Sequence, residues 1–190
     1  MNSPEKTALS LSLIIPVYNE RVLLAKATEH CLDELQKYFS NFELILVDDG
    51  STDGSGELLK QTAKKDPRIM VIENGINLNV GISIQRAIKA ATKDFVVHNG
   101  IDLPLAIADI AKQLPEMTTT DVLIFERSYY NGATSWRKVT SFLNRTLLML
   151  LFPPVPSLVC GILIFRKSTD EVSSNRSFLK PRALHLPLRK

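Results

Sequence analysis

Cysteine, glycine and long apolar runs are all scarce in this chain of 190 residues, and each shortage closes off a class of protein. The two cysteines, Cys31 and Cys160, stand far apart without metal-site spacing, which points to a reduced, cytosolic chain. No stretch reaches the roughly 18 consecutive apolar residues of a membrane span. The nearest approach, Leu147–Phe152, follows Arg145 and stops at Pro153-Pro154, as a buried or interfacial helix end does. The first residues include Glu5 and Lys6 and no long apolar core, so no signal peptide is expected. The glycines do not form G-x-G-x-x-G after the first apolar run, because Gly54 and Gly56 come too late and no third follows. Nor is there a G-x-x-x-x-G-K-[ST] motif, so both a Rossmann oxidoreductase and a P-loop enzyme lose ground. A net charge of +3 is too small to imply nucleic acid, while it suits a phosphate-bearing ligand or an anionic membrane surface.

What the chain does have is a regular alternation. Short apolar, β-branched runs at Leu11–Val17, Phe42–Val47, Ile69–Ile72, Phe95–Val97 and Val122–Phe125 read as strands, and Gly161–Phe165 reads as one more. Near-continuous apolar strands indicate a sheet covered on both faces. Between them lie helical patterns over Val22–Tyr38, Glu57–Lys64, Ile82–Ala91 and Leu105–Leu114. In the first of these, Val22, Leu23, Ala25, Cys31, Leu32 and Leu35 are expected on one face. Trp136–Phe152 reads as a longer amphipathic helix. The expected class is α/β, a doubly wound, mainly parallel sheet with helices on both faces. Residues 1–10 read as an N-terminal extension and 11–166 as the domain. Residues 167–190 read as a tail with little order, basic because no acid follows Glu171.

Ligands of such sheets bind beyond the carboxyl ends of the strands. After the first strand comes Pro16-Val17-Tyr18-Asn19-Glu20; after the second, Asp48-Asp49-Gly50-Ser51-Thr52-Asp53-Gly54-Ser55. Adjacent carboxylates at a strand end point to opposite faces. One can accept from the N–H edge of a base while the other holds backbone amides of the glycine- and serine-rich turn. Ser51 or Asp53 suits the N-cap of the next helix, and an acidic turn with a helix cap is the plain alternative. Arg137 and Ser141, one helical turn apart, share a face, and Arg127 closes the fifth strand. Two guanidiniums and a hydroxyl suit a phosphate; a core helix with two surface arginines is the alternative.

In order, SLIIPVYNE, ELILVDDGSTDGS and NVGISIQRAIKAATKDFVV resemble the nucleotide-binding half of family 2 glycosyltransferases of the GT-A fold. The resemblance runs from Leu11 to about Arg166 and is nearest the polyprenol-phosphate mannosyltransferase and glucosyltransferase subfamily. It implies a nucleotide-diphosphate sugar, GDP- or UDP-linked, with Pro16, Tyr18, Asn19, Glu20, Asp48 and Asp49 lining the base and ribose pocket. Asn79, Gly81 and Arg86 then sit where a helix approaches the nucleotide, although on spacing alone Arg86 reads as a solvated helix charge. The family's Asp-x-Asp motif, which holds a divalent metal (Mg or Mn), corresponds here to Gly100-Ile101-Asp102. Asp102 is thus the catalytic and metal-binding candidate, and Gly100 takes the place of the first acid. His98, just upstream, reads as a packed or solvated side chain rather than a ligand. By the same resemblance Arg127, Arg137 and Ser141 hold a lipid phosphate acceptor, which places the protein peripherally on the cytoplasmic membrane face. Ser157 replaces a carboxylate usual before the last strand. The implied function is inverting transfer of the sugar to an acceptor; the alternative is a catalytically silent nucleotide-sugar-binding or partner-binding module of the same fold.

Overall fold

The computed structural model describes residues 6–103, 105–118, 122–126, 162–166 and 183–187. Strands β1 (Leu11–Val17), β2 (Phe42–Asp48), β3 (Ile69–Glu73) and β4 (Phe95–His98) alternate with helices α1 (Arg21–Tyr38), α2 (Ser55–Ala63) and α3 (Asn79–Ala90). Helix α4 (Ile107–Gln113) and a 3-10 turn (Leu114–Thr118) lead to β5 (Val122–Glu126), β6 (Ile162–Arg166) and β7 (Ala183–Pro187). The sheet order is β3-β2-β1-β4-β6-β5-β7. The first four strands are mutually parallel, β6 runs antiparallel between β4 and β5, and β7 pairs parallel with β5. The expected mainly parallel α/β sheet is therefore the observed one.

Strand parity explains the two covered faces. Leu11, Leu13, Ile15 and Val17 pack with Leu24, Cys31 and Leu35 of α1, Leu59 of α2 and Ile107 and Ile110 of α4. Ile14, Ile45, Val47 and Val96 point the other way, against Ala87 of α3 and Ala91 just beyond it. Every residue of β2 is buried, the signature of a central strand covered on both sides.

Two expectations change. The buried stripe of α1 is Leu24, Thr28, Cys31 and Leu35, whereas Val22 is 93% and Leu23 51% exposed. Apolar residues crowd the start of this helix on more than one side, and contact with β1 and β2 selects the stripe. Within the segment read as a weakly ordered tail, Ala183–Pro187 forms an edge strand. Its alternation is too short to register as a pattern, and the open edge of β5 supplies the hydrogen-bonding partner.

Opposite the carboxyl ends, a buried staple fixes the start of β4. Glu43 accepts from Ser12 Oγ at 2.6 Å, Thr92 N–H at 2.6 Å and Thr92 Oγ1 at 2.8 Å. Burial would raise this carboxyl's pKa, but those hydrogen bonds and the nearby Lys93 charge hold it below the usual range.

Candidate functional site

The chain reverses direction across the sheet between β1 and β4: β2 and β3 extend one way and β4 the other. A doubly wound sheet opens a crevice at such a point, outside the carboxyl ends of its strands. Tyr18 and Asn19 follow β1 on one side of it, and the Asn99–Asp102 turn follows β4 on the other. All positive-φ residues among the described ones lie in loops or helix starts that follow these strands: Asn19, Gly50, Gly54, Gly75, Asn79 and Leu103. Three of them are not glycine, and Leu103, at φ 48°, is the most strained type. Backbone strain thus concentrates where the ligand end of such a fold lies.

The loops after β1 and β2 are stitched together. Asn19 N–H donates to Ser51 Oγ at 3.0 Å, and Thr52 N–H returns to Asn19 Oδ1 at 2.8 Å. Glu20 N–H donates to Ser55 Oγ at 3.1 Å, and Arg21 N–H to Asp53 Oδ2 at 3.0 Å. Most of the polar residues in DDGSTDGS are thereby assigned to holding one loop against the other. The N-cap of α2 is Gly54, in the left-handed region, so neither Ser51 nor Asp53 occupies it. Asp53 sits one residue earlier and accepts the Ser55 N–H at 2.9 Å.

Asp48 and Asp49 point to opposite sides of the sheet, as adjacent strand-end residues must. Asp48 lies on the α2 side: its Oδ1 accepts the Ser51 N–H at 3.0 Å and its Oδ2 lies against Gly56, where a Cβ would collide with it. Asp49 lies on the α3 side, only 4% exposed. Its Oδ1 accepts from Asn74 Nδ2 at 2.7 Å and from Leu78 N–H at 2.9 Å. Burial pushes its pKa up, but donors from Asn74, Leu78, Ser83 and Asn79 outweigh burial and keep the carboxyl ionised. Asp49 therefore anchors the β3–α3 loop and sets its negative charge at the N-terminal end of α3.

Pro16 is half-buried at the end of β1, Glu20 is half-buried just before α1, and Tyr18 is 48% exposed. Asn79 begins α3 with its N–H on Asn77 Oδ1 at 3.0 Å. Gly81 is exposed, and an added Cβ would meet nothing within 4 Å. Arg86 is exposed but tethered: its Nη1 donates to Asn74 Oδ1 and to the Glu73 carbonyl at 3.4 Å. Asn74 is the residue that sequence reasoning missed. Its one signal was position, immediately after β3 at the ligand end of the sheet.

The turn after β4 is shaped by Asn99, which is buried. Asn99 N–H donates to the Ile14 carbonyl at 2.8 Å, and its Nδ2 donates to the Leu105 carbonyl at 2.8 Å. Asp102 projects from this turn and is exposed. His98 is half-buried; among the described residues its buried Nδ1 has no hydrogen-bond partner, and burial lowers its pKa, so the ring is neutral at pH 7. Among the described residues no three acidic, histidine or cysteine side chains gather as a metal cage. One carboxylate fits a divalent cation whose remaining ligands are diphosphate oxygens and water, an arrangement magnesium accepts. Arg127, Arg137 and Ser141 lie outside the described residues. No helix among the described residues is long and apolar enough to cross a membrane.

A dolichyl-phosphate beta-glucosyltransferase of Trichomonas vaginalis is 27% identical over 180 residues, covering 87% of this chain and 55% of that protein. An undecaprenyl-phosphate 4-deoxy-4-formamido-L-arabinose transferase of Proteus mirabilis is 33% identical over 137 residues, covering 69% of this chain and 40% of that one. Among solved structures, a mannosyltransferase from Pyrobaculum calidifontis in complex with GDP-Man and Mn2+ matches with a TM-score of 0.54 at 19% identity. That match covers 82% of this chain and 44% of the other, and at such identity it is a likeness of fold. The chain spans about half the length of these relatives. The model of glycosyl transferase family 2 matches residues 12–173, from β1 past β6, and the chain belongs to that family.

Proposed function

We propose that this chain transfers a sugar from a GDP- or UDP-linked donor to an acceptor, with inversion at the anomeric carbon, and that the acceptor is a polyprenyl phosphate at a cytoplasmic membrane face. The observation that carries this reading is the strand order, which reverses between β1 and β4 and puts Tyr18 and Asn19 after one of these strands and Asp102 after the other, in a chain of this family. Two relatives whose names carry dolichyl or undecaprenyl phosphate support the acceptor class.

In this reading Pro16, Tyr18, Asn19 and Glu20 border the base and ribose. Asp48 and Asp49 hold the loops that shape that pocket, and Arg86 on α3 faces the diphosphate. A divalent cation, Mg or Mn, when bound, supplies positive charge against the charge growing on the leaving diphosphate, and Asp102 is the carboxylate that would hold it. A lipid phosphate oxygen is already anionic, so its attack needs no general base. Arg127, Arg137 and Ser141 are the proposed acceptor-phosphate residues on sequence grounds.

Calorimetric titration of UDP and GDP with Mn2+ tests the donor half. Asp102→Ala is expected to weaken metal-dependent binding by about tenfold or more; equal affinities in both proteins would remove Asp102 from that role. Gly100 in place of an acid favours a second reading, a binding module without turnover. Radiolabelled donor with polyprenyl phosphate separates the two. Labelled lipid supports transfer, whereas nucleotide binding without product supports the silent module.

A further inference from the structure

We propose that Asn74 is a positioning residue of the nucleotide site, holding Arg86 in the pose that meets the donor's diphosphate. The inference rests on the nucleotide-sugar reading above and adds a residue that none of the sequence motifs contains.

The orientation of the Asn74 amide is dictated by its neighbours. Its backbone N–H continues the ladder to the Asp48 carbonyl at 2.9 Å, which fixes where the side chain leaves the sheet. Asp49 is an ionised carboxylate and can only accept, so the amide nitrogen must face it. That nitrogen donates to Asp49 Oδ1 at 2.7 Å and to the buried Ser83 Oγ at 2.7 Å. The amide oxygen is thereby turned outward, and Arg86 Nη1 donates to it.

Both acceptors that Arg86 uses, the Asn74 amide and the Glu73 carbonyl, are neutral. No ion pair holds it among the described residues. Both bonds use Nη1, so among the described residues the Nε–Nη2 edge of the guanidinium, the fork that suits phosphate oxygens, is not committed to a protein acceptor. A carboxylate at position 74 would hold Arg86 as firmly but cancel its charge; an amide holds it and leaves the charge for an anion. A free arginine loses much rotamer freedom on meeting a ligand, and a tether in place beforehand lowers that cost. Ser83 and Arg86 lie one turn apart on α3, so Asn74 also ties the helix carrying Arg86 to the carboxylate that anchors its start.

A double-mutant cycle read by calorimetric titration with UDP and GDP tests the coupling. Asn74→Ala is expected to weaken nucleotide binding by about tenfold. In an Arg86→Ala background the same change is expected to cost nothing further, because the tether then has nothing to position. Losses that multiply in the double variant, or wild-type affinity in Asn74→Ala, overturn the proposal. Arg86→Met, at an exposed position, leaves the bonds of Asn74 to Asp49 and Ser83 in place and serves if the alanine variant fails to fold; it is expected to bind more weakly than wild type, and unchanged affinity overturns the idea. A wild-type chain that binds neither nucleotide sinks the nucleotide-sugar reading and this proposal with it. A wild type that binds, with an Asn74→Ala variant that binds equally, sinks only the role of Asn74.

Discussion

Gly50 and Gly81 both lie at the ligand end of the sheet, yet the fold needs only one of them. At Gly50 the backbone has φ +76°, and an added Cβ would run into the backbone of Ile76 and Asn77. Backbone cannot step aside as a flexible side chain can, so Gly50→Ala is expected to lose about 2–4 kcal/mol in urea denaturation. Gly81 has open space around it in the first turn of α3. Gly81→Ala is therefore expected to gain about 0.5 kcal/mol from lower chain entropy in the unfolded state. If Gly81 is small so that a nucleotide can approach, the same variant binds UDP and GDP more weakly while being more stable. A stable variant with unchanged affinity would leave Gly81 outside the site. In the sequence Gly50 belongs to the glycine- and serine-rich turn after the second strand, and the family resemblance puts Gly81 where a helix approaches the nucleotide. Which glycine answers to which need depends on the β3–α3 loop lying over Gly50, a contact between residues more than 25 positions apart.

Helix α1 shows what patterning can and cannot resolve at the scale of an element. Its extent was legible almost to the residue, Val22–Tyr38 expected against Arg21–Tyr38 observed, because Phe39 breaks away in extended conformation. Its buried stripe was not. Val22, Leu23, Leu24 and Ala25 are consecutive apolar residues and wrap most of a turn, so periodicity admits more than one phase. The sheet selects Leu24, which is fully buried, over Leu23, which is half-exposed. Leu24→Ala is expected to destabilise by about 2–4 kcal/mol through lost transfer energy and the cavity left behind. Leu23→Ala is expected to change stability by about 0.5 kcal/mol or less. Equal losses in thermal denaturation would mean that the stripe is misassigned. The strands were easier to read. β1 and β2 are buried on both faces and so have no phase to choose, whereas β7 gave no pattern long enough to register.

Over the whole molecule, buried titratable groups at opposite ends of the sheet set the response to acid. Glu43 at the amino end and Asp49 at the carboxyl end both have pKa values held below normal by protein donors. A depressed carboxyl pKa means that the unfolded chain binds more protons as pH falls through the ordinary range of about 4. Their stabilisation is complete above that range and is lost as pH drops toward the folded values. His98 adds an earlier step: burial lowers its pKa, so the unfolded chain takes up a proton first, starting near pH 6.5. Urea midpoints are expected to decline slightly between about pH 6.5 and 5 and steeply below about pH 4.5. Glu43→Gln should flatten part of the steep limb, and His98→Phe should remove the gentle one. A stability profile level from pH 7 to pH 3 would contradict both assignments.

The α/β class, most of the strand and helix boundaries and the family were readable from the chain alone. Each is written locally, in apolar runs, turn chemistry and ordered motifs. The order β3-β2-β1-β4, and with it the reversal between the strands that Tyr18 and Asp102 follow, came from strand pairing across long sequence separations. So did the duties of the polar residues. DDGSTDGS reads as a ligand loop, but folding assigns most of its side chains to stitching one loop against another. The Asn74 bridge from Asp49 to Arg86 joins three segments that no local pattern connects. A hydrogen bond is satisfied only by whatever stands opposite, and for these groups the opposite partner lies dozens of residues away or around a loop whose path the packed sheet sets.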